Sequence, residues 1–147
     1  MTKYQEFLKD LELLNIELIH INSDKSKELR ETQEGLRIEY QLQYMGEPQI
    51  NTVIGLIRYQ LKIEINLFYV SKPEEIKDLI SKMVLGYLID FKSSNIENFQ
   101  VMYKDPEIKE FFTKGQIVKT LWPFIRQLHI DLSNRHNLQV PPLPWIK

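Results

Sequence analysis

The chain has 147 residues, 43% hydrophobic and 27% charged, with a formal net charge of −1 and no cysteine. That length gives room for one domain with a real core, so residues 1–147 read as a single domain. The near-neutral balance gives no global pull toward nucleic acid or a membrane surface, and the missing cysteine excludes disulfides and thiolate metal sites. Scattered charges in "MTKYQEFLKDLELL" interrupt any signal-peptide core. No run approaches the roughly 18 apolar residues of a membrane span. A cytoplasmic location is expected.

Along the chain, Tyr4, Phe7, Leu8 and Leu11 stand at helical spacing and predict a short amphipathic helix. Isoleucine-rich "NIELIHIN" predicts a strand, and "SDKSKELRETQE" a solvated connection. In "GLRIEYQLQYMGEP" Leu36, Ile38, Tyr40, Leu42 and Tyr44 alternate with polar residues, which predicts a half-buried strand ended by Gly46 and Pro48. Alternation then runs unbroken from Val53 to Tyr69. One strand of that length would span about 56 Å, against a diameter of about 40 Å for a globular chain of this size. The strand must bend, break or project beyond one subunit, with Gly55 and "EIN" as candidate break points. Ile54, Leu56 and Phe68 on its other face also require burial.

"SKPEEIKDLI" predicts a helical turn with Ser71 near its cap and Pro73 in its first turn. "LISKMVLGYLIDF" returns to alternation, with Leu79, Met83, Leu85, Tyr87, Ile89 and Phe91 on one face. "ENFQVMYK" reads as a short strand. "DPEIKEFF" reads as a helix with Asp105 as cap, Pro106 in its first position and Gly115 beyond its end. A last helix is expected from about Gln116 to about Asn134, continuous through Pro123, with Val118, Leu121, Ile125, Leu128 and Leu132 on one stripe. Proline removes a backbone donor and clashes with the carbonyl of Lys119, and a position in the first turns makes that tolerable. Strands first and helices last predict an α+β fold with an antiparallel sheet.

Chemistry is hard to place on these residues. His129 and His136 lie two helical turns apart, about 10 Å by rise, too far to share a metal. His20 stands alone in a strand. All three are expected to be ordinary surface or helix-end histidines. Glu74 and Asp78 read as a solvated helix face. No glycine pattern resembles a phosphate loop, and no serine sits in a nucleophile elbow. Neither enzymatic activity, nor a cofactor, nor a metal is expected. From Lys114 onward five Lys/Arg stand against one acidic residue. They are scattered, so nucleic acid is not the expected partner.

What remains is apolar. Prolines 141, 142 and 144 in "LQVPPLPWI" can neither continue a helix nor pair in a central strand. Leu138, Val140, Leu143 and Trp145 then either close the helix onto the sheet or form one wall of an apolar groove for an extended peptide.

"LWPFIRQLHIDLSNR" followed by "LQVPPLPW" resembles the SecB family of export chaperones. Leu121, Trp122, Pro123, Phe124 and Arg126 match that family's entry into its main helix, and Arg135 its second arginine. Leu138 to Trp145 match its proline- and leucine-rich ending. Gly86, Tyr87 and Ile89 resemble the strand that closes its sheet. The resemblance implies a sheet of about four antiparallel strands under a long C-terminal helix. It also implies a homotetramer built as a dimer of dimers, with non-native polypeptides as ligands. Tyr87, Trp122, Phe124, Leu138, Val140, Leu143 and Trp145 would line or support the peptide groove. Two departures stand out. "SDKSKELRETQE" carries none of the aromatics that the family places after its first strand. The Cys/His-rich tail that engages the SecA motor is not matched either, since the chain stops at Lys147. A holdase role is therefore expected, with coupling to SecA and export doubtful. The alternative is a dedicated partner-binding protein, for example beside a toxin–antitoxin pair.

Overall fold

The computed structural model describes residues 2–32, 34–71, 76–136 and 138. A short helix α1 (Lys3–Leu8) leads into β1 (Leu11–Lys25), β2 (Leu36–Tyr44), β3 (Gln49–Asn51), β4 (Leu56–Ser71) and β5 (Ile76–Ser93). Helices α2 (Ile96–Tyr103), α3 (Pro106–Glu110) and α4 (Ile117–Arg135) follow. The sheet is antiparallel in the order β1-β5-β4-β2, with β3 also paired to β4. β2 and β3 occupy successive stretches of one edge of β4, so the sheet is four strands wide. This is the expected α+β architecture. The helices cover the face formed by Ile57, Tyr59, Leu61, Ile63 and Ile65 of β4 and by Met83, Leu85, Tyr87, Ile89 and Phe91 of β5. The opposite face carries ion pairs such as Arg58–Asp90 at 2.8 Å and Lys82–Glu64 at 3.0 Å.

The overlong alternating run breaks at the first of its two candidate points. Gly55 adopts φ +71, and a Cβ there would lie 2.5 Å from the carbonyl oxygen of Ser93. Only glycine accommodates that turn, so β4 starts at Leu56. The "EIN" stretch does not interrupt it. Ile54 is exposed at the turn rather than buried, and Val53 beside it is 91% exposed. The far end of β4 outruns the main core and has a smaller one of its own, in which Leu67, Tyr69, Ile80 and Leu138 pack with Leu29, Leu36 and Ile38. The connection after β1 is therefore more than solvated chain. Leu29 enters this cluster, and the Arg30 N–H donates to the Tyr69 hydroxyl at 3.1 Å while its guanidinium lies over the ring.

Four expectations are corrected. "IKDLI" is not helical: it opens β5 and pairs with β4 from Ile76 onward. Ladder pairing holds these residues extended; the turn expected around Pro73 lies outside the described residues. Leu79 does not share the face of Met83, because Ile80 is an extra residue between the pairs Phe68–Leu79 and Leu67–Ser81. Such a bulge shifts the alternation by one, so Ile80 is buried and Leu79 exposed. "ENFQVMYK" is not a strand: Asn95 caps α2 by accepting from the Asn98 N–H at 3.1 Å. Finally, the helix begun at Pro106 does not end at Gly115. A π-helical segment, Phe111–Gln116, joins α3 to α4 in one run of 30 residues. The buried stripe explains it. Ile108, Phe112, Ile117, Leu121 and Ile125 step by four except for one step of five, from Phe112 to Ile117. A wide turn absorbs that extra residue, and the Ile117 N–H reaches back to the carbonyl of Phe112.

The helix runs through Pro123 as expected, although not because its first turns tolerate proline: Pro123 lies deep within the run. It sits on the exposed side, where water can satisfy the freed carbonyl of Lys119.

Candidate functional site

α4 lies along the apolar face of the sheet and leaves a groove on each flank. On one flank, Tyr40, Leu42 and Tyr44 of β2 face Thr113, Val118 and Lys119, enclosing about 530 Å³. Strand alternation puts these three β2 side chains on the helix side, and the helical step puts Val118 opposite them. The Tyr44 hydroxyl donates to the carbonyl of Thr113 and closes one end of the groove. Burial pushes that hydroxyl's pKa well above the tyrosine range. Trp122 lies against the Tyr40 ring, with centroids 4.6 Å apart. It is 2% exposed, so it supports this wall from behind and does not line it.

On the other flank, Ile16 and Leu18 of β1 face Tyr87, Phe124 and Leu128 across about 280 Å³. Tyr87 is 3% exposed, and burial pushes its hydroxyl up to about 12. Phe124 is 52% exposed on the open side. Asp131 sits on this rim and accepts from the Gln127 amide at 3.0 Å.

The residues expected in one groove are thus divided. Tyr87 and Phe124 meet on the β1 flank, and Trp122 backs the β2 flank. Leu138 is 1% exposed within the smaller core, and its N–H donates to the carbonyl of Ser133 at 2.8 Å. It closes the helix onto the sheet. Val140, Leu143 and Trp145 lie outside the described residues, as do the three prolines of the tail. Tyr40, Leu42, Tyr44 and Val118 are not among the residues expected in the groove. Their signal was present as the alternation of β2, which marks a face but does not say that the covering helix stops short of it.

Of the histidines, His136 bonds the Ser23 hydroxyl at 3.0 Å at the end of α4, and His20 is exposed on β1. His129 is buried, against expectation. It falls four residues after Ile125, on the stripe that meets the sheet, and helical phase overrides its polarity. Among the described residues no group of three or more His, Asp or Glu side chains could hold a metal ion, and no helix is long and apolar enough to cross a membrane.

No family model and no curated protein matches the sequence. Among solved structures, the chain is similar to the Mycobacterium tuberculosis Rv1957 SecB-like chaperone, solved in complex with a ChAD peptide from the Rv1956 HigA1 antitoxin. The TM-score is 0.69 at 14% identity, over 99% of this chain and 98% of that one. Strand order, the long helical run and near-complete mutual coverage together identify a SecB-like fold.

Proposed function

We propose that this protein is a SecB-like molecular chaperone, a holdase that binds non-native polypeptide on the apolar flanks of α4 without covalent chemistry. The observation that carries the reading is the pair of grooves beside that helix, lined by Tyr40, Leu42 and Val118 on one side and by Leu18, Tyr87 and Phe124 on the other. Burying a client's apolar surface there contributes about 25 cal/mol per Å². The side-chain contacts ask for no particular sequence. Aggregation suppression against several unrelated unfolded proteins tests it. Protection of all of them at equal subunit concentration is expected, and protection of none ends the holdase reading.

A second reading is a dedicated partner-binding protein, and two observations favour it. The connection after β1 offers no aromatic side chain, and the similar SecB-like chaperone was solved with an antitoxin peptide. Selective capture of one partner, with no general protection, would establish it in the same assay. An export role finds support only in the resemblance to export chaperones.

A homo-oligomer, in the form of a tetramer, belongs to the same proposal. Edge strand β1 carries Leu13, Leu14, Leu18, Ile19 and Ile21 exposed. Such an edge is seldom left open in a monomer. Light scattering that returned 17.6 kDa at high concentration would refute assembly.

A further inference from the structure

We propose that the connection after β1, residues 26–32, is a salt-sensitive strap latched on Asp78, which closes over the smaller core and withholds its apolar surface until the latch lets go. The strap belongs to this chain's own fold and acts independently of what the flanks of α4 bind.

The surface under the strap is apolar. Leu67, Tyr69 and Ile80 stand where β4 and β5 outrun the main core, and all three are buried. Leu138 and the strap's Leu29 pack into the same cluster. Leu29 is the one apolar residue of "SKELRET", so the strap has a single apolar anchor.

The rest of its hold converges on three residues of the β4–β5 hairpin. The carbonyl of Ile80 accepts from the Ser26 N–H at 2.7 Å and from the Lys27 N–H at 3.3 Å. The bulge makes this possible, because Ile80 stands outside the pairing with β4 and its carbonyl can bond elsewhere. The Tyr69 hydroxyl accepts from the Arg30 N–H and donates to the carbonyl of Thr32, both at 3.1 Å. Asp78, the cross-strand partner of Tyr69, takes both cations of the strap. Lys27 Nζ lies 2.6 Å from one of its oxygens, and the Arg30 guanidinium 2.8 Å from the other.

A segment with one buried apolar side chain and a few outside bonds opens at lower cost than the whole fold. Here two cations share one carboxylate at the surface, and salt screens such pairs. The Lys27 ammonium and then the Arg30 guanidinium hold the Asp78 carboxyl below the usual carboxylate range. The latch therefore keeps its charge at neutral pH and answers to salt rather than to mild acid. At the root of the strap, Lys25 donates to the carbonyl of His136 at 2.8 Å and pairs with Glu28. The strap thus hinges where β1 meets the end of α4, and lifting it takes Leu29 out of the cluster that holds Leu138.

Amide hydrogen exchange on the full chain tests this. Raising salt from about 0.05 M to about 1 M should speed exchange at Ser26, Lys27 and Arg30 a few-fold and leave Ile63 and Leu85 unchanged. Asp78→Asn should speed the same three amides about tenfold at low salt and abolish their response to salt. Tyr69→Phe keeps the ring and removes only the hydroxyl. It frees the Arg30 N–H directly, but Ser26 and Lys27 bond to Ile80, so they accelerate with it only if the strap moves as one unit. Fluorescence of 1-anilinonaphthalene-8-sulfonate should rise in both variants, with Tyr69→Phe controlling for the lost charge. The proposal is overturned if the strap amides do not respond to Asp78→Asn, or if their salt response survives that change. It is overturned equally if Ser26 and Lys27 ignore Tyr69→Phe, if Ile63 and Leu85 accelerate in step with the strap, or if neither variant gains dye fluorescence.

Discussion

The two edges of the sheet are built differently. β2 is nine residues long, holds one register with β4 throughout, and keeps its apolar side chains on the helix side. β1 is fifteen residues long, shifts register against β5 at Leu14 and again at Ile19, and exposes apolar side chains along much of its length. The regular edge is strapped to the helix by Trp122 against Tyr40 and by the Tyr44 hydroxyl on Thr113. The bulged edge has no comparable strap among the described residues; it lies close on β5, with His20 packed over Gly86. Regular alternation confines a strand's apolar residues to one face. A bulge spends a residue outside the ladder, and here both spent residues are large and apolar. One edge keeps its apolar side chains in the groove beside the helix; the other also presents apolar side chains at its bulges.

The largest break in this contrast should come from Trp122→Ala. The ring is buried and backs β2, so its loss should cost about 3–5 kcal/mol. Denaturant unfolding measures it, and a loss below about 1 kcal/mol would deny that the strap exists.

Next comes Gly86→Val, aimed at the other edge. A Cβ at Gly86 would meet the His20 Cβ at 3.0 Å before the valine methyls are added. Crowding of this kind costs about 1–3 kcal/mol. Amide exchange should speed up in β1 and remain unchanged in β2.

The third effect depends on pH. Burial holds the Tyr87 hydroxyl protonated up to about 12, against an unfolded value near 10. The unfolded chain therefore loses this proton first. The stabilisation is complete below pH 10 and is lost as pH rises from 10 to 12, by at most ~1.4 kcal/mol per pH unit for this group. Tyr87→Phe should flatten the fall in Tm over that interval. An unchanged slope would show that other buried tyrosines, Tyr44 and Tyr59 among them, account for all of it.

The smallest effect on stability is expected from Leu14→Lys with Ile19→Lys. Both residues are exposed, so each change should stay within about 0.5 kcal/mol. The informative readout is mass. If β1 carries the oligomer seam, light scattering should return a smaller assembly, and an unchanged mass would place the seam elsewhere.

Much of this was legible from pattern. The alternation of Leu36–Tyr44 yielded β2 almost to the residue, and Asp105–Pro106 marked the start of the helical run. The stripe from Leu121 to Leu132 placed α4. What failed was local chemistry read without its partners. Ser71 and Pro73 resemble a helix start, but pairing with β4 claims the residues from Ile76 onward. "ENFQVMYK" carries Phe99 and Tyr103, which suit a strand, yet both stack in the core from a capped helix. The apolar alternation predicted the face of Leu79 wrongly because periodicity cannot count a bulge. Of the site, Tyr87 and Phe124 came from the resemblance and do meet in one groove. The groove beside β2 was unforeseen, because it depends on where a helix lies relative to a strand far away in sequence.

The wide turn at Phe111–Gln116 bears on how the chain tolerates changes in length. The buried stripe takes its single step of five there, so deleting one residue from the segment would bring Phe112 and Ile117 to the ordinary spacing of four. Gly115 is the natural residue to remove, since nothing lies within 4 Å of where its Cβ would be. The run would become uninterrupted α-helix, with every later side chain still facing the same way. The same deletion at Thr120 would swing all later residues about 100° around the axis and carry Ile125 and Leu132 off the sheet. The helical run thus holds a spare residue at one defined place. There its length can change by one residue while the aim of everything downstream is preserved.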